Sequence, residues 1–245
     1  MFASFILSLQ FLTRLPLNIN IDITDKRLGQ SVLFYPIVGL LIGLSLNFIQ
    51  LLLPAAYALE LNAAIILSLW VLLTGGLHLD GLADCTDAWA GGLGDKQRSL
   101  DIMKDPAAGP IAVVILLLLL LLKWSALLTI LKQENSLTVL LLAPCLGRIS
   151  ILLLMLNTPY VRKNGLGSTL QDTLPKTAAM VISFFGLLLC AELLSVSVLF
   201  AALLTIALVR HLALQRLQGV TGDVYGACVE IVETTVLVSW VLTHG

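Results

Sequence analysis

A chain of 245 residues that is 58% hydrophobic and 12% charged, with a mean hydropathy of +1.00, has too little polar surface to cover a soluble globule; soluble domains are typically about 45–50% apolar and about one-quarter charged. The composition predicts an all-α polytopic membrane helix bundle, a single integral membrane domain over 1–245 with the lipid bilayer as its surroundings. A net charge of −1 with no run of Lys or Arg argues against a nucleic-acid partner; Cys85, Cys145, Cys190 and Cys228 form no CxxC or Cys/His spacing, which argues against zinc or thiol redox chemistry.

The opening MFASFILSLQFLTRLPL has no basic n-region and no small-residue cleavage pattern, so it does not read as a signal peptide. Its Phe2, Phe5, Ile6, Leu9 and Leu12 recur at helical spacing and predict a short helix lying in, or dipping into, the membrane interface. About seven spans follow, at about 32–53, 61–77, 107–131, 137–156, 178–191, 195–210 and 226–243, and several of them reach the roughly 20 apolar residues a crossing needs. The fifth and sixth come from one run over 177–209, too long for one crossing and short for two. Splitting it at Glu192, its only ionisable residue, predicts a tight hairpin of tilted or partly re-entrant helices.

Lys and Arg in the connections set the orientation. Arg14, Lys26 and Arg27 precede the first span; Lys96, Arg98 and Lys104 follow the second; Arg162, Lys163 and Lys176 follow the fourth; Arg210 and Arg216 follow the sixth. The intervening connections hold Lys132 or nothing. The alternation predicts a cytoplasmic N-terminus and an outside C-terminus. The long segments, about 1–31, 78–106, 157–177 and 211–225, then all fall on the cytoplasmic face, which becomes the expected place for an active site. Lys123 and Arg148 remain inside spans.

One of those segments begins GGLHLDGLADCTDAWA at 75–90. Asp80, Asp84 and Asp87 are spaced i, i+4, i+7, so at about 100° per residue they lie within roughly 60° of one another on a helix. No Lys or Arg occurs between Asp80 and Asp95 to offset their repulsion. A solvated acidic face is the plainer account, but Leu79, Leu82, Ala83 and Ala88 make the flanks apolar and the stretch abuts a span. Acids near a membrane without partners are costly and usually functional. A hard divalent cation that keeps several waters, Mg²⁺ beside a phosphorylated substrate, suits them. His78 lies about 200° around from Asp80, off the metal face if the helix already includes it, and is a candidate general base or orienting hydrogen-bond partner.

Met103-Lys104-Asp105-Pro106 ends the same segment and offers Lys104 and Asp105 as substrate contacts. Asp105 and Pro106 also read as N-cap and N1 of the third span. Arg148, in PCLGRIS mid-span, needs a buried anion or carboxylate partner. Glu230 and Glu233 fall in the first two turns of the last span, and TGDVYGA at 221–227 reads as a glycine-punctuated turn with Asp223 just before that helix. Asp223 and Glu230 are candidates to complete the metal shell.

GGLHLDGLADCTDAW followed by LDIMKDPAAGPIAV resembles the central signature of the cobalamin synthase family, the adenosylcobinamide-GDP ribazoletransferases. FLTRLPL at 11–17, FYPIVGLLIG at 34–43, NGLG at 164–167 and TGDVYGACVE at 221–230 extend the likeness over essentially the whole chain. Ala88 departs from it, standing where glycine is expected after the third aspartate. The resemblance implies an Mg²⁺-dependent enzyme of the bacterial inner membrane, late in cobalamin assembly. It implies that adenosylcobinamide-GDP reacts with α-ribazole or its 5'-phosphate and that GMP leaves. In that chemistry Asp80, Asp84 and Asp87 hold the metal against the diphosphate, and Arg148 contacts a phosphate or holds a carboxylate. A CDP-alcohol phosphotransferase is the enzyme alternative, although its Ala-Arg after the second Asp-Gly is absent. A secondary transporter using Arg148, Glu230 and Glu233 is the other.

Overall fold

The computed structural model describes residues 1–17, 19–54, 58–133, 136–162 and 165–244. Lys163 and Asn164, used above for orientation and in the NGLG block, lie outside them. Among the described residues there is no strand beyond an isolated parallel bridge between Tyr160 and Val220. The helices are α1 (Phe2–Leu12), α2 (Asp25–Ser31), α3 (Tyr35–Leu52), α4 (Leu59–Thr74), α5 (Leu77–Gly91), α6 (Lys96–Ile102), α7 (Pro110–Ile130), α8 (Ser136–Asn157), α9 (Leu166–Asp172), α10 (Lys176–Leu193), α11 (Val196–Leu217) and α12 (Gly222–His244). A 3₁₀ turn at Val32–Phe34 joins α2 to α3.

Among the described residues six helical units are long and apolar enough to cross a membrane: α2–α3, α7, α8, α10, α11 and α12. A seventh is counted when α4 and α5, bent by 86° from each other, are taken together as one broken span. The bend falls at Gly75 and Gly76, whose φ values of +64° and +68° are left-handed conformations that a Cβ would strain. The carboxylate-bearing α5 therefore turns sharply away from the axis of the apolar α4. The expected all-helical bundle of about seven spans is matched by these six units, or seven with the bent pair counted as one. The 177–209 run does divide: α10 ends at Leu193 and α11 starts at Val196, next to the predicted Glu192.

The bundle is built around α8, the most buried span, with α3 and α12 packed on it. A methyl on Gly39 would stand 2.5 Å from the Pro144 carbonyl oxygen, and one on Gly43 2.5 Å from that of Leu141. Two glycines four apart thus let the α3 and α8 backbones touch, the small-residue route to close packing in lipid. By contrast α7, α10 and α11 turn Leu117, Leu121, Phe184 and Phe200 outward, as a lipid-facing surface requires.

Inside the bundle lies an ionic cluster. Lys123 Nζ of α7 donates to Glu230 and Glu233 of α12, at 2.7 Å each, and sits 4.6 Å from the centre of the Trp70 ring. Arg148 of α8, fully buried, pairs with Glu233 and donates to the Pro144 carbonyl at 3.3 Å. The carboxylate partner anticipated for Arg148 is therefore Glu233. Two cations face two carboxylates, so the cluster is neutral and every charge has a partner.

Two local expectations fail. The third span starts at Gly109 and Pro110, not at Asp105 and Pro106. Asp105 instead accepts the Ala107 N–H (3.0 Å) in a tight turn, because Pro110 offers a second N1 position whose preceding N–H is bonded from elsewhere. The last span starts at Gly222, so Asp223 lies inside the first turn of α12 and not ahead of it.

Candidate functional site

Two glycines bring the acids of α5 to the start of α12. A Cβ on Gly81 would stand 2.7 Å from the Asp223 carbonyl oxygen, and one on Gly226 would stand 3.2 Å from the His78 backbone. With no side chains between them, the two backbones come into contact there. Asp80, Asp84 and Asp87 share one face of α5, as their spacing predicted, and Asp223 joins them from α12.

The electrostatics follow from that assembly. The Asp84 carboxyl is pushed up from 3.8 to about 6, first by burial and then by Asp223 and Asp80, with Asp87 adding a smaller push. Arg162 is the cation that opposes it. Arg162 donates to Asp223 at 2.9 Å and leaves its buried Nε without a partner. Around Asp84 itself three carboxylates, Asp80, Asp87 and Asp223, thus face a single opposing cation, Arg162, and hard carboxylate oxygens are the donor set Mg²⁺ prefers. Among the described residues no three His, Cys, Asp or Glu side chains already stand in ligating geometry. Mg²⁺ commonly uses one or two carboxylates plus water and substrate phosphate, so the residues present fit it.

The half-exposed Asp84 offers a stability test. Because its folded value lies above the unfolded one, the charged form is penalised above about pH 6 and the penalty fades as pH falls toward 3.8. After allowance for solvent screening the penalty is about 1 kcal/mol. In buffer without divalent cations at about pH 7.5, Asp84→Asn is expected to raise the thermal midpoint in detergent by about 2–4 °C. That gain should shrink to nothing near pH 4; scanning calorimetry of both proteins across pH reads it.

Asp87 has a further task. Its Oδ2 accepts the Gly109 N–H (2.5 Å) and its Oδ1 the Ala112 N–H (3.1 Å), so it caps α7 from another helix. This satisfies N–H groups that no α7 residue could reach and fixes the distance between α5 and the third span.

A cavity of about 330 Å³ opens beside these groups, lined by His78, Asp80, Arg162 and Asp223 together with apolar and aromatic side chains. His78, placed on a different face from the aspartates by its spacing, lines the same cavity and is buried with Nδ1 unpartnered. Of the other expected site residues, Lys104 is exposed and paired with Asp101 at 3.0 Å, and Asp105 serves its own turn. Arg148 and Glu230 belong to the buried ionic cluster and are not brought to the aspartates. Sequence reasoning missed Arg162, which it counted only for orientation, and the tyrosines Tyr160 and Tyr225. An arginine beside the glycine-rich 164–167 block, on the same face as the acids, was the available signal.

Comparison with known proteins follows the same lines. The family model described as cobalamin-5-phosphate synthase matches residues 4–241. A protein of Acinetobacter baumannii named adenosylcobinamide-GDP ribazoletransferase is 45% identical over 244 residues, covering 99% of this chain and 98% of its own. Proteins of the same name from Stutzerimonas stutzeri and Pseudomonas entomophila are each 48% identical, covering 98% and 97% of this chain and 98% of their own. No solved structure matches the chain significantly.

Proposed function

The chain belongs to the cobalamin-5-phosphate synthase family, and on that footing we propose that it transfers the adenosylcobinamide-phosphate part of adenosylcobinamide-GDP to α-ribazole or α-ribazole 5'-phosphate. The products are adenosylcobalamin or its 5'-phosphate, and GMP. The observation that carries the reading is the convergence of Asp80, His78, Arg162 and Asp223 on one cavity at the end of the bundle that holds the other α5 acids. The enzyme is a multi-pass protein of the bacterial inner membrane; the Lys and Arg alternation supports a cytoplasmic position for that end.

The reaction is a displacement at phosphorus, governed mainly by positioning and charge stabilisation. A ribazole hydroxyl forms the new O–P bond at the phosphoryl group attached to cobinamide, and the P–O bond to GMP breaks. His78, which lines the cavity, is the group to take the hydroxyl proton. Asp80, Asp84 and Asp223 would hold Mg²⁺, with Asp87 fixing α5 against α7 through the Gly109 and Ala112 N–H groups. When bound, the ion neutralises charge developing on the diphosphate. Arg162 already leans on Asp223 and, as a cavity-lining guanidinium, is the group to meet a phosphate oxygen. The phosphate role first considered for Arg148 passes to Arg162, since Arg148 is occupied by Glu233.

The pairing of Arg148, Glu230 and Glu233 with one another and with Lys123 also removes the residues on which a carrier reading depended. Purified protein supplied with adenosylcobinamide-GDP and α-ribazole is expected to release GMP with Mg²⁺ and to stop when the ion is chelated. Turnover that survives chelation would discard the metal, and absence of GMP release from folded protein would discard the reaction.

A further inference from the structure

Away from the catalytic cavity a groove runs along α12. Its first recess, of about 460 Å³, is walled by Leu82, Cys85 and Trp89 of α5, Ile111 of α7, Leu212 of α11 and Ala227 of α12. A second recess, of about 500 Å³, continues it between α7 and α12 as far as Leu122 and Leu242. Ile115 and Ile231 line both, so the two recesses form one groove. At about 100° per residue, Leu82, Cys85 and Trp89 fall on the side of α5 opposite Asp80, Asp84 and Asp87. The groove therefore backs the helix that carries the acids.

Its walls suit hydrocarbon. Leu118, Leu122, Leu212 and Leu242 stand exposed along it. The hydroxyls that line it are already used within the protein. Thr86 donates to the Leu82 carbonyl at 2.7 Å, Thr234 to that of Glu230 at 2.8 Å and Ser239 to that of Thr235 at 2.6 Å, while Thr235 meets the Thr205 hydroxyl at 3.3 Å. Side chains bonded back to their own helix have no proton to give a polar ligand. From Ile111 to Leu122 the α7 wall is about 17 Å long at 1.5 Å per residue. That is close to one leaflet of a roughly 30 Å hydrocarbon core, the depth an acyl chain reaches.

Charge marks one end alone. No charged residue lines the second recess. Beside the first, Arg216 lies one turn beyond Leu212 on α11, with its guanidinium carbon 5.9 Å from the centre of the Trp89 ring, and donates to the Trp89 carbonyl at 3.4 Å. Lys96 of α6 donates to Gln218 Oε1 at 3.1 Å, two residues past Arg216. Both cations are partly exposed, and among the described residues no carboxylate stands within 4.0 Å of either. Asp95, the acid next to Lys96, accepts the Arg98 N–H as the cap of α6. Cations and a tryptophan at the head of an apolar groove complement an anionic head group joined to a long apolar tail.

We propose that this groove binds one anionic phospholipid, with its phosphate on Arg216 and Lys96 and an acyl chain laid behind α5. The chain fills the space between α7 and α11 over α12 and braces α5 from the side away from the acids.

Full-length protein in neutral detergent, titrated with phosphatidylglycerol or phosphatidylcholine and read by native mass spectrometry, tests the site. One phosphatidylglycerol is expected to bind more tightly than phosphatidylcholine. Arg216→Gln should weaken phosphatidylglycerol binding by about fivefold, the usual effect of one basic side chain on an anionic lipid, and leave phosphatidylcholine unchanged. Ile115→Trp, which blocks the groove where its recesses meet, should weaken both lipids; if it does not fold, the Arg216→Gln comparison still decides. At saturation phosphatidylglycerol should raise the thermal midpoint by about 5 °C, and binding without that rise would overturn the bracing of α5. Equal affinity for the two lipids, phosphatidylglycerol binding untouched by Arg216→Gln, or its displacement by inorganic phosphate at matched concentration would overturn the lipid site. A lipid-free dimer that Ile115→Trp dissociates would overturn it too, giving the groove to a second copy of the chain.

Discussion

Asp80→Asn is expected to lower the rate of GMP release by about 10²–10³-fold, the usual loss when one group stabilising a phosphoryl-transfer transition state is removed. Asp80 is exposed, lines the cavity and makes no hydrogen bond that shapes the fold, so the thermal midpoint in detergent should hold. Asp87→Asn provides the contrast. It removes negative charge from the same helix face and also weakens the bonds to the Gly109 and Ala112 N–H groups, the cap on α7. It should therefore lose both activity and about 1–2 kcal/mol of stability. Rates and midpoints measured side by side separate a group that acts on substrate from one that also positions a span. If Asp80→Asn retained full turnover, the acidic face of α5 would have no part in the chemistry.

The second large effect concerns stability alone. Glu233→Leu strips Arg148 of its carboxylate and leaves Lys123 with Glu230, so the interior gains a net positive charge. Breaking a buried pair from one side typically costs about 3–5 kcal/mol. Adding Arg148→Met restores neutrality, because Lys123 and Glu230 remain as a matched pair, and should recover most of that loss. Unfolding midpoints of the wild type, both single variants and the double variant form the cycle. Additive losses in the double variant would show that Arg148 and Glu233 contribute separately and that the pairing carries no energy of its own.

Local pattern and distant contact divide what could be read in advance. The spans, the break near Glu192 and the shared face of the α5 acids depend on periodicity and composition within a few turns, and those were legible. Arg148 needed a carboxylate on energetic grounds alone, and Glu233 is it. The misreadings arose where a residue's partner lies far along the chain. Glu230 read as a site acid because Lys123, more than a hundred positions away, could not be seen to neutralise it. Asp105 next to proline carries a strong cap signal, but the cap on the third span comes from Asp87, more than twenty residues upstream. Tyr225 gave no local sign of sharing a cavity with Arg162; α5, α12 and the segment between α8 and α9 create it together.

That packing has a mechanical consequence. Where Gly81 meets Asp223 and Gly226 meets His78, main chain rests on main chain. Leucines interlocked at such a crossing could trade rotamers and let the helices slide, whereas two peptide backbones in direct touch have nothing to rearrange. The opposing jaws of the acidic cleft are thereby held at a constant gap while the surrounding lipid-facing helices breathe. Tolerance for misplacement in phosphoryl transfer is well under an ångström, and here it is secured by bare backbone.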